Sequence, residues 1–178
     1  MPNSAVLQAQ SGGRSVLGGV RTESLRIAGE KVATDRYFDV RYPYTGEVVA
    51  SVPNASVAEV RRAIDLGAKF RSSLTRHDRY RILMKAGEII AQRRDEIARL
   101  ITLESGLCLK DTLYEVGRAS DVLLFSANQA LVDDGQVFSC DVTPHGRKRK
   151  VYTMREPLLG VITAITPFNH PLNQVIHK

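Results

Sequence analysis

LLGVITAITPFNHPLNQVIHK, residues 158 to 178, is the stretch on which the fold of this chain turns. Its first part, LLGVITAI, is apolar on both faces. That pattern belongs to a strand buried in a parallel sheet with helices above and below, not to a half-exposed antiparallel strand. The run stops at Pro167. Pro167 and Pro171 fix their own φ and are expected to push Thr166 and His170 into extended conformations. Pro171 also suits the first turn of a helix, so a helix is expected to open there. Asn169 therefore sits in a stiff corner at the carboxyl end of the expected strand, the edge where open α/β sheets bind ligands. A side-chain amide held there can donate to a developing oxyanion without reorganising. It can equally cap a turn by bonding local backbone groups, and spacing alone does not separate the two.

A parallel strand needs a partner reached by a crossover of a dozen residues or more. Only Pro171 to Lys178 follow, so the βα unit opens and is expected to be the first of an incomplete parallel sheet.

Upstream, LRIAGEKVATDRYFDVRYPYTGEVVASVP reads as short antiparallel strands with turns at Gly29 and Gly46. Helical periodicity follows. Ser56 and Glu59 form a capping box ahead of Val57, Val60 and Ile64. A second helix is expected from Thr75 or Asp78, carrying Ile82, Leu83, Ala86, Ile89 and Ile90. A third holds Ile97, Leu100 and Ile101 and ends at Gly106, and a fourth spans about Asp111 to Leu131. From Val137 the period returns to two, giving a hairpin that turns at Gly146.

The 178 residues suffice for a substantial core without disulfides or metals. Two cysteines, Cys108 and Cys140, with no CxxC spacing, suit a reducing cytoplasmic setting. Residues 1–24 lack the continuous apolar core of a secretory signal and are expected to be a disordered leader. No apolar stretch approaches membrane-spanning length, so no membrane partner is expected. The net charge of +6 is concentrated in Arg147, Lys148, Arg149 and Lys150, without interleaved aromatics or a recognition motif. That is the pattern of a solvated loop and gives nucleic-acid binding no further support. His77, His145, His170 and His177 form no i, i+4 pair and no HExxH, so no metal site is expected.

The segment EPLLGVITAITPFNHPLNQVIHK resembles the aldehyde dehydrogenase superfamily, whose members carry a G-V-(x)n-I-x-P-[FW]-N-x-P-L segment followed by a Lys. LITLESGLCLKDTLYEVGRASDVLLFSA is similar to that family's helix end and the long helix after it, and YPYTGEVVASVPNAS resembles its opening strands. The likeness covers roughly residues 25 to 178. One departure is Gly106-Leu107-Cys108 where Gly-Lys-Pro is common.

The resemblance implies an α/β fold of which this chain is the N-terminal portion. Residues 25–136 would be strands and the helical part of a cofactor-binding domain, 137–156 an oligomerisation hairpin, and 157–178 the truncated first βα unit. It implies NAD- or NADP-dependent oxidation of an aldehyde to a carboxylic acid through a thiohemiacetal. Asn169 matches the oxyanion-hole Asn. Lys178 matches a Lys near the reacting centre, and Ile165, Thr166, Pro167 and Phe168 match the nicotinamide-side wall of the cofactor cleft. Phosphonoacetaldehyde and lactaldehyde enzymes are the nearest in style, and for them Arg118 and His170 are candidate substrate-binding cations. The family's nucleophilic Cys and general-base Glu match nothing here; Cys108 and Cys140 fit neither position. The chain by itself is therefore expected to be inactive. The competing reading is a non-catalytic module that associates with family subunits through the hairpin.

Overall fold

The computed structural model describes residues 19–154 and 160–178. Most of the expected leader, and Leu158 and Leu159 of the expected core strand, lie outside these residues.

Short strands come first: β1 (Arg21–Thr22), β2 (Leu25–Ile27), β3 (Glu30–Val32), β4 (Tyr37–Arg41) and β5 (Val48–Pro53). The β2–β3 hairpin closes through Ala28 and Gly29, both at positive φ, the geometry that matches the twist of its strands. β4 and β5 pair antiparallel around a turn in which Gly46 N–H donates to the Tyr42 carbonyl over 2.8 Å. The pairings within residues 25–53, β2 with β3 and β4 with β5, are antiparallel as expected, and β1, which precedes that stretch, runs parallel to β5; its Arg21 and Thr22 fall within the residues 1–24 expected as a leader. The buried Val49 and Ala50 place β5 in the middle of its sheet, where both edges need partners, and two residues of β1 suffice to cover the second edge.

Four helices follow: α1 (Val57–Lys69), α2 (Arg76–Gln92), α3 (Arg94–Ser105) and α4 (Leu109–Leu131). Ser56 and Thr75 begin α1 and α2 with complete capping boxes. Gly106 ends α3 in the left-handed region at φ 76°, its N–H donating to the Thr102 carbonyl. α2, α3 and α4 pack around Ala98, Ile101 and Val116, with Ile90, Ile97, Leu107 and Leu113 closing over them. Arg76 reaches Asp133 at 2.7 Å and fastens the start of α2 to the segment after α4. α1 buries no residue, and Val57, Val60, Ile64 and Phe70 remain exposed.

The later hairpin pairs β6 (Val137–Ser139) with β7 (Lys150–Tyr152), leaving the basic cluster near its exposed tip. Its connection is tight at Gly146, where a Cβ would run into the Cys140 carbonyl. Gly160 to Pro167 forms no ladder among the described residues, although its composition asks for one. A strand apolar on both faces is stable only between neighbouring strands and under helices; α1 approaches Val161 at Gly67, but no strand among the described residues pairs with the run. The helix expected at Pro171 is present as α5 (Pro171–His177), lying against α4 with Leu172 on the core cluster.

Candidate functional site

The corner at Asn169 is built from two elements distant in sequence, the middle of α4 and the start of α5. Asn169 itself is exposed, in a bend between the two prolines. Its side-chain amide makes no hydrogen bond among the described residues, so it is not consumed in capping the turn.

The next residue departs from the sequence expectation. His170 is left-handed, at φ 54° and ψ 58°, not extended. A following proline disfavours the right-handed helical region but does not choose between the extended and left-handed ones. Glu115 on α4 lies beside this residue. The His170 Nδ1 atom lies 3.7 Å from Glu115 Oε2, and the backbone N–H of Asn173 donates to Glu115 Oε1 over 3.0 Å. Asn173 N–H belongs to the first turn of α5, where the helix itself offers it no acceptor. Glu115 and Asn173 are only 1% and 2% exposed, whereas the His170 side chain is 44% exposed, with Nδ1 turned inward.

Sequence reasoning missed Glu115. The signal was present: Thr112, Val116, Ala119, Leu123 and Ala127 form the buried stripe of α4, and Glu115 falls inside it, three residues after Thr112 and four before Ala119. An acid at such a position must find a partner or remain a buried cost.

Arg118 is exposed on α4 with its guanidinium 6.0 Å from the centroid of the Tyr114 ring, and His170 gives one ring nitrogen to the Glu115 side. Lys178 follows α5, its Nζ donating to Gln174 Oε1 over 3.1 Å. Cys108 caps α4 and Cys140 follows β6; both are free thiols.

Ile165, Thr166, Pro167 and Phe168 precede the corner as one exposed run. Ile165 is 81% and Phe168 88% exposed, so neither packs into the chain's own core. No group of three or more metal-ligating side chains occurs among the described residues, and no helix there is long and apolar enough to cross a membrane.

Comparison with known proteins bears on this site. Residues 30–178 match the model of the aldehyde dehydrogenase family. The 3-sulfolactaldehyde dehydrogenase of Priestia megaterium is 32% identical over 161 residues, which is 89% of this chain and 33% of that protein. The lactaldehyde dehydrogenase of Methanococcus aeolicus is 34% identical over 143 residues, 79% of this chain and 29% of that protein. Among solved structures, aldehyde dehydrogenase 21 of Physcomitrella patens, in complex with succinate as reaction product, superposes with a TM-score of 0.84 at 27% identity. That match covers 90% of this chain and 34% of the other. The NADP-dependent glyceraldehyde-3-phosphate dehydrogenase of Bacillus halodurans, complexed with NADP, gives 0.75 at 29% identity, covering 87% and 34%. The chain thus spans about a third of the length of the curated relatives it matches.

Proposed function

The chain belongs to the aldehyde dehydrogenase family, and we propose that it supplies the oxyanion side of an NAD- or NADP-dependent oxidation of a small aldehyde to its carboxylic acid. The observation that carries this reading is the Asn169 amide, exposed and without a hydrogen-bond partner among the described residues, in a corner stiffened by Pro167 and Pro171. When a thiolate adds to the aldehyde carbon, the carbonyl electron pair moves onto oxygen, and the Asn169 side-chain N–H donates to that oxygen. Such a donor contributes most when it is already aimed before charge develops. Ile165 to Phe168 would hold the nicotinamide dinucleotide, which when bound supplies the hydride acceptor. Lys178, which matches the family's Lys near the reacting centre, is assigned to the same reacting face.

The sulfolactaldehyde and lactaldehyde relatives favour a short aldehyde bearing a hydroxyl or an anionic group. Lactaldehyde and phosphonoacetaldehyde are the substrates to try first, with Arg118 as the cation for an anionic tail. The exposed ring edge of His170 is available for the same purpose. The hairpin of β6 and β7 exposes Val137, Phe138, Val151 and Tyr152, which supports a role in homo-oligomer formation.

The test is aldehyde-dependent reduction of NAD or NADP by the product of the complete reading frame that encodes this chain, against lactaldehyde, phosphonoacetaldehyde and succinic semialdehyde. Asn169→Ala is expected to lower turnover about a hundredfold, roughly 3 kcal/mol of transition-state stabilisation. Unchanged turnover would return Asn169 to a purely structural role. The 178 residues alone are expected to oxidise none of these aldehydes, since Cys108 and Cys140 match neither the position nor the context of the family's nucleophile.

A further inference from the structure

The buried charge of Glu115 has no part in the chemistry assigned above, yet it touches the residues on both sides of Pro171. An apolar residue of similar volume would join α4 to α5 at least as well, because a carboxylate loses its hydration on burial and regains it only through well-made bonds. Here one oxygen has such a bond, from the Asn173 N–H at 3.0 Å. The other, Oε2, has no hydrogen-bond partner among the described residues and faces His170 Nδ1 at 3.7 Å. Asn173 Oδ1 is likewise buried without a partner there. Incomplete satisfaction of this kind calls for an explanation beyond packing. His170 meanwhile holds a left-handed backbone, a conformation that costs a non-glycine residue free energy unless its surroundings impose it.

We propose that Glu115 is a positioning residue for Asn169: its buried carboxylate ties the left-handed His170 and the first turn of α5 to α4, and so sets the direction in which Asn169 presents its amide. This rests on the reading of Asn169 as the oxyanion donor. The chain between the two prolines has only Phe168, Asn169 and His170 to adjust. With Pro171 fixed in φ, the Asn173 N–H bonded to the Glu115 carboxylate and His170 Nδ1 facing it at 3.7 Å, rotation about the corner is restrained from the α5 side.

The experiment compares Glu115→Met, which keeps the volume and removes both acceptor oxygens, with Glu115→Gln, which keeps an acceptor for Asn173. In the product of the complete reading frame, Glu115→Met is expected to lower kcat about tenfold or more with KM changed by less than about threefold, the signature of a misplaced group and not a lost binding contact. Glu115→Gln is expected to recover most of that loss. In an Asn169→Ala background the effect of Glu115→Met should vanish, because its route to the chemistry is already gone. Unchanged kcat, or the same fold loss in both backgrounds, would overturn the proposal.

A second readout, on the 178-residue chain, needs no turnover. By NMR, Glu115→Met should move the side-chain amide resonances of Asn169 and speed hydrogen exchange at the Asn173 amide about tenfold or more, and Glu115→Gln should restore both. Resonances and exchange that stay at wild-type values would also overturn it. Should the Met variant not fold, Glu115→Asp withdraws the carboxylate by one methylene and is expected to move the same resonances; unmoved resonances would overturn the proposal equally. A reading-frame product with no turnover in any form would end the oxyanion reading, while the NMR result would still decide whether Glu115 orients Asn169.

Discussion

Asn169 precedes a histidine whose backbone is left-handed, and that neighbour decides where its amide lies. Two prolines make the corner legible in sequence, since each restricts φ by covalent geometry alone. The left-handed turn at His170 was not legible, because it depends on a carboxylate 55 residues away in the chain, the difference between positions 170 and 115. A residue that sequence does foretell is Gly106. Its φ of 76° suits glycine, and a Cβ there would sit 3.2 Å from Pro43 Cγ and 3.3 Å from Pro43 Cβ. Gly106→Ala is expected to destabilise the chain by about 1–2 kcal/mol, the cost of a left-handed side-chain-bearing residue plus crowding. A thermal melt should read this as a fall in Tm of roughly 3–8 °C, and a shift below about one degree would contradict it.

The helices illustrate how far local chemistry reaches. Ser56 Oγ accepts from the Glu59 N–H while Glu59 Oε2 accepts from the Ser56 N–H, and Thr75 and Asp78 repeat the arrangement on α2. Backbone and side-chain bonds from Ser56 lower the pKa of Glu59 below its ordinary 4.5. Side-chain and then backbone bonds from Thr75 lower that of Asp78 below 3.8. Because each folded pKa lies under its unfolded value, the added stability is complete above the ordinary value. It disappears as pH falls through the lowered folded one. Urea midpoints should therefore drop below about pH 4, and Asp78→Asn should flatten that drop while leaving less stability at neutral pH. A variant with the wild-type pH profile would show that the α2 box does not contribute. Helix existence and starts were readable because a cap involves residues three apart. The observed α4 stripe is less so: the apolar Leu124 is exposed, whereas the acidic Glu115 is buried.

At the scale of the whole molecule, much apolar surface lacks a cover. The outer face of α1 and the run containing Val161, Ile162, Ile165 and Phe168 stand open together with the hairpin. Exposed apolar area on this scale favours association. The 178-residue chain is expected to self-associate on size exclusion and to bind a hydrophobic dye, and replacing Val60, Ile64 and Phe70 by Ser should reduce both. A sharp monomer peak with cooperative melting for the unmodified chain would count against this.

The sequence by itself determined the helix starts at Ser56 and Pro171, a start at Thr75 or Asp78, the stop at Gly106, and the resemblance to a family, since all rest on covalent restriction or on neighbours a few residues apart. Only the tertiary structure decided that β1 lies parallel to β5, that Gly160 to Pro167 carries no ladder among the described residues, and that Glu115 accepts from the Asn173 N–H beside the Asn169 corner. Those features need partners brought close by packing, and the bond from Asn173 to Glu115 spans 58 residues. No local rule contains a distance set by how two helices meet.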